Sequence, residues 1–300
     1  MPAELIDGRA IAGKIRADVA DRVKKLAARG VKPGLAVVLV GDDPASAVYV
    51  SAKERATEEA GMYSLTLRLE ADTSQSELIE RVDALNADPR IHGILVQMPL
   101  PKQIDPEFVI RRVDPRKDVD GFHPVNVGKM LAGERDGFIP CTPAGIQVLL
   151  KESGVKTPGK NCVVIGRSNI VGKPMAALMM QDNPDANCTV TVCHRHTVDL
   201  ADHTRRADIL IVAAGRPGVI NGDMVKPGAV VIDVGTNRVD DEKSKSGTSL
   251  QGDVDFESVS KIASKITPVP GGVGPMTIAC LLQNAVRCSR YRRGELAYPA

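Results

Sequence analysis

Apolar positions recur with a period near 3.6 along IAGKIRADVADRVKKLAARG (11–30), which predicts a helix ending on Gly30. The unbroken apolar run LAVVLV (35–40) predicts a short strand buried on both faces. Asp43 before Pro44 then reads as an N-cap with proline in the first helical position, so a second helix starts there. SLTLRLE (64–70) alternates like a strand, SQSELIERVDALN (74–86) is spaced like a helix, and GILVQ (93–97) is again a strand. Between 98 and 145 the periodicity fades into stretches rich in Pro, Gly and Asp, which predict loop and linker. A helix resumes over 142–154 with Thr142 as N-cap and Pro143 behind it. CVVIG, TVTVC, DILIVAAG and AVVIDVG are four more strand-like runs between helical or mixed segments, and MTIACLLQNAVRCS predicts a last helix. The polar stretch DDEKSKSGTS (240–249) predicts an exposed loop.

This alternation predicts an α/β protein: two α/β domains flanking a cleft, the second a Rossmann-like doubly wound parallel sheet. The first domain is expected over 1–140 with the C-terminal helix 276–300, and the second over 141–275. Composition narrows the classes. With 43% hydrophobic and 25% charged residues, the chain has the make-up of a folded globular protein. A formal charge of +2, without long basic blocks, gives no case for nucleic acid or anionic lipid as a partner. No apolar run reaches membrane-spanning length, and MPAELIDGRA lacks the apolar core of an export signal, so a cytoplasmic location is expected. Six cysteines in 300 residues do not make a disulfide framework; Cys162, Cys188 and Cys193 sit in strand-like runs as core thiols. Cys188, Cys193, His194 and His196 lack a zinc-knuckle spacing, and no metal is expected.

Two stretches carry candidate chemistry. In YVSAK (49–53) a phenol and an amine stand four residues apart, on one face of a helix. That spacing serves an ordinary amphipathic surface, and it also serves an acid/base pair whose amine is tuned by burial. The second stretch, GRSNIVGKP (166–174), turns from a strand into a helix N-terminus, where backbone N–H groups and the helix dipole favour a pyrophosphate. It departs from G-x-G-x-x-G, with Ser168 at the second glycine and Val171 at the third. The charge beside it is more informative. The next strand ends in His194 and Arg195 rather than in an acid, and Arg167 lies in the turn, which favours a 2′-phosphate and so NADP over NAD. The alternative is that both arginines are solvated loop residues.

The motifs YVSAK, GILVQMPLP, KDVDG, FIPCTPAG, GRSNIVGKP, DVGTNR and TPVPGGVGPMT, in this order along the whole chain, resemble the bifunctional methylenetetrahydrofolate dehydrogenase and methenyltetrahydrofolate cyclohydrolase family. The resemblance implies NADP-dependent oxidation of 5,10-methylenetetrahydrofolate to the methenyl form, then hydrolysis to 10-formyltetrahydrofolate, in a homodimer serving one-carbon metabolism and purine biosynthesis. Carried onto matching positions, Lys53 is the catalytic lysine, Gln97 holds and tunes it, Tyr49 packs on the folate and Asp120 holds the pterin. Gly272, Gly274 and Pro275 match the loop that approaches the folate. Gly166, Arg167 and Ser168 match the phosphate turn, Arg195 the 2′-phosphate position, and Thr236 the backbone contact near the nicotinamide. Many relatives carry Ile or Val in place of Thr236, and some carry Ser in place of Arg195. The formyltetrahydrofolate synthetase region of some longer relatives is expected to be absent. A short-chain dehydrogenase also pairs Tyr with Lys four residues on, but its glycine-rich turn precedes the pair, whereas here GRSNIVG follows it by more than a hundred residues. A monofunctional dehydrogenase and a non-catalytic dinucleotide-binding module remain as further readings.

Overall fold

The computed structural model describes residues 2–134, 136–241, 244 and 247–292, with backbone alone at 291 and 292. Along the chain the elements are β1 (Glu4–Leu5), α1 (Gly8–Ala27), β2 (Gly34–Val40), α2 (Pro44–Glu59), β3 (Tyr63–Leu69), α3 (Gln75–Ala87) and β4 (Gly93–Val96). Then follow α4 (Pro106–Arg112), α5 (Pro124–Leu131), α6 (Cys141–Glu152), β5 (Asn161–Ile165), α7 (Gly172–Met179), β6 (Thr189–Cys193), α8 (Leu200–Thr204) and β7 (Ile209–Val212). The series closes with β8 (Val230–Asp233), β9 (Asn237–Asp240), β10 (Thr248–Gln251), α9 (Phe256–Val259), β11 (Lys265–Ile266) and α10 (Val273–Arg292). The chain divides into two compact units: Gly13–Cys141 with Ile278–Ala300, and Met1–Ala12 with Thr142–Thr277.

The first unit is built on a three-stranded parallel sheet, ordered β3-β2-β4. Every residue of β2 is buried, which is why GLAVVLV shows no alternation. Its core gathers Val38 and Val40 of β2, Leu78, Val82 and Leu85 of α3, and Val109 of α4. Because β2 runs to β3 on one side and β4 lies on the other, the order reverses between β2 and β4; ligands of open α/β sheets bind beyond the carboxyl ends at such a point.

The second unit holds six parallel strands, ordered β1-β11-β8-β7-β5-β6. Here the order reverses between β5 and β7, the second switch point. The apolar strands pack with Ile220, Val225, Val254 and Val259 into a continuous core. β9 and β10 pair as a separate antiparallel two-stranded sheet; of the segment 240–249 expected to be an exposed loop, Asp240 lies in β9 and Thr248 and Ser249 in β10, while residues 242, 243, 245 and 246 lie outside the described residues.

Several expectations change. Residues 1–12 fall with the second sheet rather than the first unit, because β1 pairs with β11 and Ile6 N–H donates to the carbonyl of Ile266 at 2.9 Å. The stretch read as loop from 98 to 145 contains α4 and α5, each started by a cap before a proline: Asp105 accepts from Glu107 N–H, and His123 Nδ1 accepts from Val125 N–H. Both signals stood in the sequence, but the helices are too short for a periodicity to emerge. Thr142 is inside α6 rather than capping it; the helix starts at Cys141, and the Thr142 hydroxyl pairs with that of Thr277 at 3.1 Å. Helix α1 ends at Ala27, and Gly30, at φ +76°, closes the turn after it. Gly274 and Pro275 belong to the first turn of α10, not to the loop before it.

Candidate active site

Helix α2 starts beyond the carboxyl end of β2. The Asp43 carboxylate accepts from Ser46 N–H at 2.7 Å and Pro44 fixes the first turn, so the register of the helix is set from its cap. That register turns Val50 and Lys53 inward and leaves Tyr49 at the surface, 38% exposed. Lys53 is only 8% exposed, and its ammonium donates to Gln97 Oε1 at 2.9 Å. Gln97 follows directly on β4; its backbone N–H binds the Val38 carbonyl at 2.8 Å and its side-chain amide donates to the Met98 carbonyl at 2.6 Å. With its amide end so committed, Gln97 must offer its oxygen to the lysine. The first switch point therefore holds a buried amine with one neutral acceptor. Burial lowers the Lys53 pKa, against the opposing pull of the Asp120 carboxylate.

Asp120 is presented by a segment fastened beside β4. Ile94 N–H donates to the Lys117 carbonyl at 2.7 Å, and the Lys117 ammonium reaches the carbonyls of Leu85, Asn86 and Asp88 at the end of α3. Buried Asp118 accepts from the backbone N–H of Gly121, Phe122 and His123 and from Asn126 Nδ2 at 2.8 Å. Asp118 thus shapes the KDVDG loop. Asp120 itself is pushed up to about 6 by burial, with Lys53 pulling the other way and Asp118 adding to the rise. The two groups have moved towards each other: an amine easier to deprotonate faces a carboxyl that holds its proton longer. Cys141 lies near this pair, its Sγ donating to the Val119 carbonyl at 3.2 Å, and burial among the carboxylates pushes its thiol well up.

In the second unit, the carboxyl end of β5 runs into Gly166 at φ +115°. A Cβ there would overlap the Ala213 carbonyl, and one on Gly172 would overlap the carbonyl of Gly166, so both glycines are needed for the turn to close. Ser168, at the second glycine position, uses its hydroxyl to accept from Val171 N–H at 3.1 Å and Gly172 N–H at 3.4 Å. Val171 gives α7 no side-chain cap. Arg167 and Arg195 are exposed, and Arg195 Nε donates to His196 Nε2 at 3.1 Å. Thr236 is exposed just beyond β8. A close-approach turn at a helix start with exposed guanidinium groups fits a dinucleotide diphosphate. Gly272 precedes α10, where a Cβ would crowd Thr267 and the Pro268 carbonyl; it, Gly274 and Pro275 belong to the second unit, together with Gly166, Arg167, Ser168, Arg195 and Thr236. Lys53, Tyr49, Gln97 and Asp120 share the first.

Two carboxylates of the second unit carry no signal along the chain. Asp233, the last residue of β8 and the first of DVGTNR, and Asp253, just after β10, are both buried. Only their burial among backbone N–H donors gathered from distant segments marks them, and that is not visible along the chain. Among the described residues no group of three or more His, Cys, Asp or Glu is placed to hold a metal ion, and no helix is long and apolar enough to cross a membrane.

A doubly wound sheet with a glycine turn at its switch point, joined in one chain to an α/β unit with a buried lysine, defines the class of two-unit, dinucleotide-linked α/β enzymes. The family model described as tetrahydrofolate dehydrogenase/cyclohydrolase, catalytic domain, matches residues 6–120, and that family's NAD(P)-binding domain matches residues 140–293. The chain belongs to the tetrahydrofolate dehydrogenase/cyclohydrolase family. It is 56% identical over 293 residues to the bifunctional protein FolD of Pelobacter propionicus, covering 98% of this chain and 100% of that one. Among solved structures, the bifunctional FolD of Campylobacter jejuni is 48% identical at TM-score 0.91, covering 97% of this chain and 99% of that one. The Trypanosoma brucei methylenetetrahydrofolate dehydrogenase-cyclohydrolase, complexed with NADP and inhibitor, is 40% identical at TM-score 0.93, covering 99% and 100%.

Proposed function

We propose that the chain oxidises 5,10-methylenetetrahydrofolate with NADP and hydrolyses the methenyl product to 10-formyltetrahydrofolate, with Lys53 as the group that moves protons in the second step. The bifunctional reading rests on the match of both family domains and on relatives aligned over nearly the whole chain. The observation that supports the role of Lys53 is its desolvated amine held on Gln97, beside a carboxyl of raised pKa. A neutral amine accepts a proton from water as the oxygen adds to the methenyl carbon, and the resulting ammonium is stabilised by Asp120. Gln97 keeps the amine's lone pair directed, since its oxygen accepts one N–H. Asp120 also accepts from the ring NH and amino group of the pterin, and exposed Tyr49 offers its ring face to the substrate.

When bound, the dinucleotide supplies the hydride acceptor. Gly166, Arg167 and Ser168 hold its phosphates, Arg195 reads the 2′-phosphate, and Thr236 contributes backbone near the nicotinamide. Gly272, Gly274 and Pro275 approach the folate. A cytoplasmic homodimer completes the proposal, resting on family resemblance. Turnover of methylenetetrahydrofolate with NADP and NAD in parallel, with the methenyl product followed by its own absorbance, tests it. NADP is expected to be preferred by about tenfold or more in kcat/KM. Absence of turnover, or equal use of NAD, overturns the respective part.

A further inference from the structure

The loop after β7 bends so that three successive backbone N–H groups, from Ala214, Gly215 and Arg216, converge on one point. Such a nest is an anion-binding shape. It is filled from within: the fully buried Asp253 carboxylate accepts these three N–H groups at 2.6, 2.9 and 3.0 Å. Asn237 Nδ2 adds a fourth donor at 2.8 Å. Asp253 N–H in turn donates to Asp233, whose carboxylate also binds the N–H groups of Gly235 and Val254. The lattice is tight, since a Cβ on Gly235 would overlap Asp253 and one on Gly252 would overlap Asp233. The two acids thus fix the segments following β7, β8 and β10 to one another. The β7 segment is also the wall on which the Gly166 turn rests, through the Ala213 carbonyl.

We propose that Asp253 is a positioning residue for the dinucleotide: as an internal anion it holds the wall of the second switch point, and the Thr236 segment through Asn237, in ligand-receiving form. This rests on the reading of that switch point as the cofactor site. It gives the carboxylate a role at a distance from the cofactor. It also explains why the charge is buried there: backbone dipoles replace the water it has lost.

The enzyme's two activities supply the control, because hydrolysis of methenyltetrahydrofolate needs no dinucleotide. In Asp253→Ala the KM for NADP is expected to rise by about thirtyfold, with hydrolysis retained within about twofold. Formate, which can re-enter the vacated nest, is expected to restore much of the NADP affinity. Asn237→Ala, which removes one donor and leaves the carboxylate in place, is expected to raise the same KM about threefold. An unchanged KM for NADP in both variants overturns the proposal, as does parallel loss of both activities in Asn237→Ala. Should Asp253→Ala not fold, Asn237→Ala decides alone. If the unmutated protein binds neither NADP nor NAD by calorimetry, it is the cofactor reading that fails instead.

Discussion

The two switch points are made of different materials. At the first, between β2 and β4, the proposed working groups are side chains already withdrawn from water and in contact: Lys53 on Gln97, with Asp120 within electrostatic reach. At the second, between β5 and β7, the proposed working surface is backbone shaped by Gly166, Gly172 and Ser168, with arginines left in solvent. The difference suits the tasks proposed for them. Proton transfer needs a group whose pKa has been moved before substrate arrives, and only burial or a close charge does that. A polyphosphate brings its own charge, so its site can wait, solvated, with donors that the ligand satisfies.

The contrast is broken most sharply at the lysine. Lys53→Met is expected to cut cyclohydrolase turnover by about a thousandfold or more while leaving dinucleotide affinity within about twofold. Retained hydrolysis would remove the amine from the mechanism. The mirror experiment is Gly166→Ala, which forces a side chain into a φ of +115° and against Ala213. Dinucleotide affinity is expected to fall about a hundredfold with hydrolysis largely kept, as titration of each activity would reveal. Arg195→Ala is a smaller change, weakening NADP by about tenfold and NAD by less than about twofold. Equal losses would mean that this guanidinium does not read the 2′-phosphate.

The smallest effect concerns stability. Because the folded pKa of Asp120, about 6, lies above its value in an unfolded chain, the folded state binds the extra proton between roughly pH 4 and 6. Its contribution is therefore greatest at low pH and is lost as pH rises through about 6. Asp120→Asn is expected to gain Tm relative to the unmutated protein at pH 7.5 but not at pH 4, by thermal melts at both. A gain of equal size at both values would show that the carboxyl is not held protonated by its surroundings.

Much of this was legible in the chain. Asp43-Pro44 fixed the start of α2 and hence the face on which Lys53 lies, and the unbroken β2 announced a buried parallel strand. What escaped was set by partners distant in sequence. Nothing around Glu4 and Leu5 signals a strand, because two residues carry no period; their identity as β1 is conferred by β11. The Lys53–Gln97 bond joins residues 44 apart, and the Asp253 nest joins residues 37 to 39 apart, so neither has a local signature. Resemblance supplied the first and could not supply the second.

Strand β1 has a consequence for biosynthesis. It borders the larger sheet, yet its neighbour lies 261 residues further along the chain, as the Glu4 and Lys265 ion pair marks. At ribosomal speeds of about 5–20 residues per second, the leading segment waits on the order of 10–50 seconds before its docking edge exists. Closure of the larger sheet thus waits for the segment around Lys265 to be made, so β1 can dock only after every other strand of that sheet has left the ribosome.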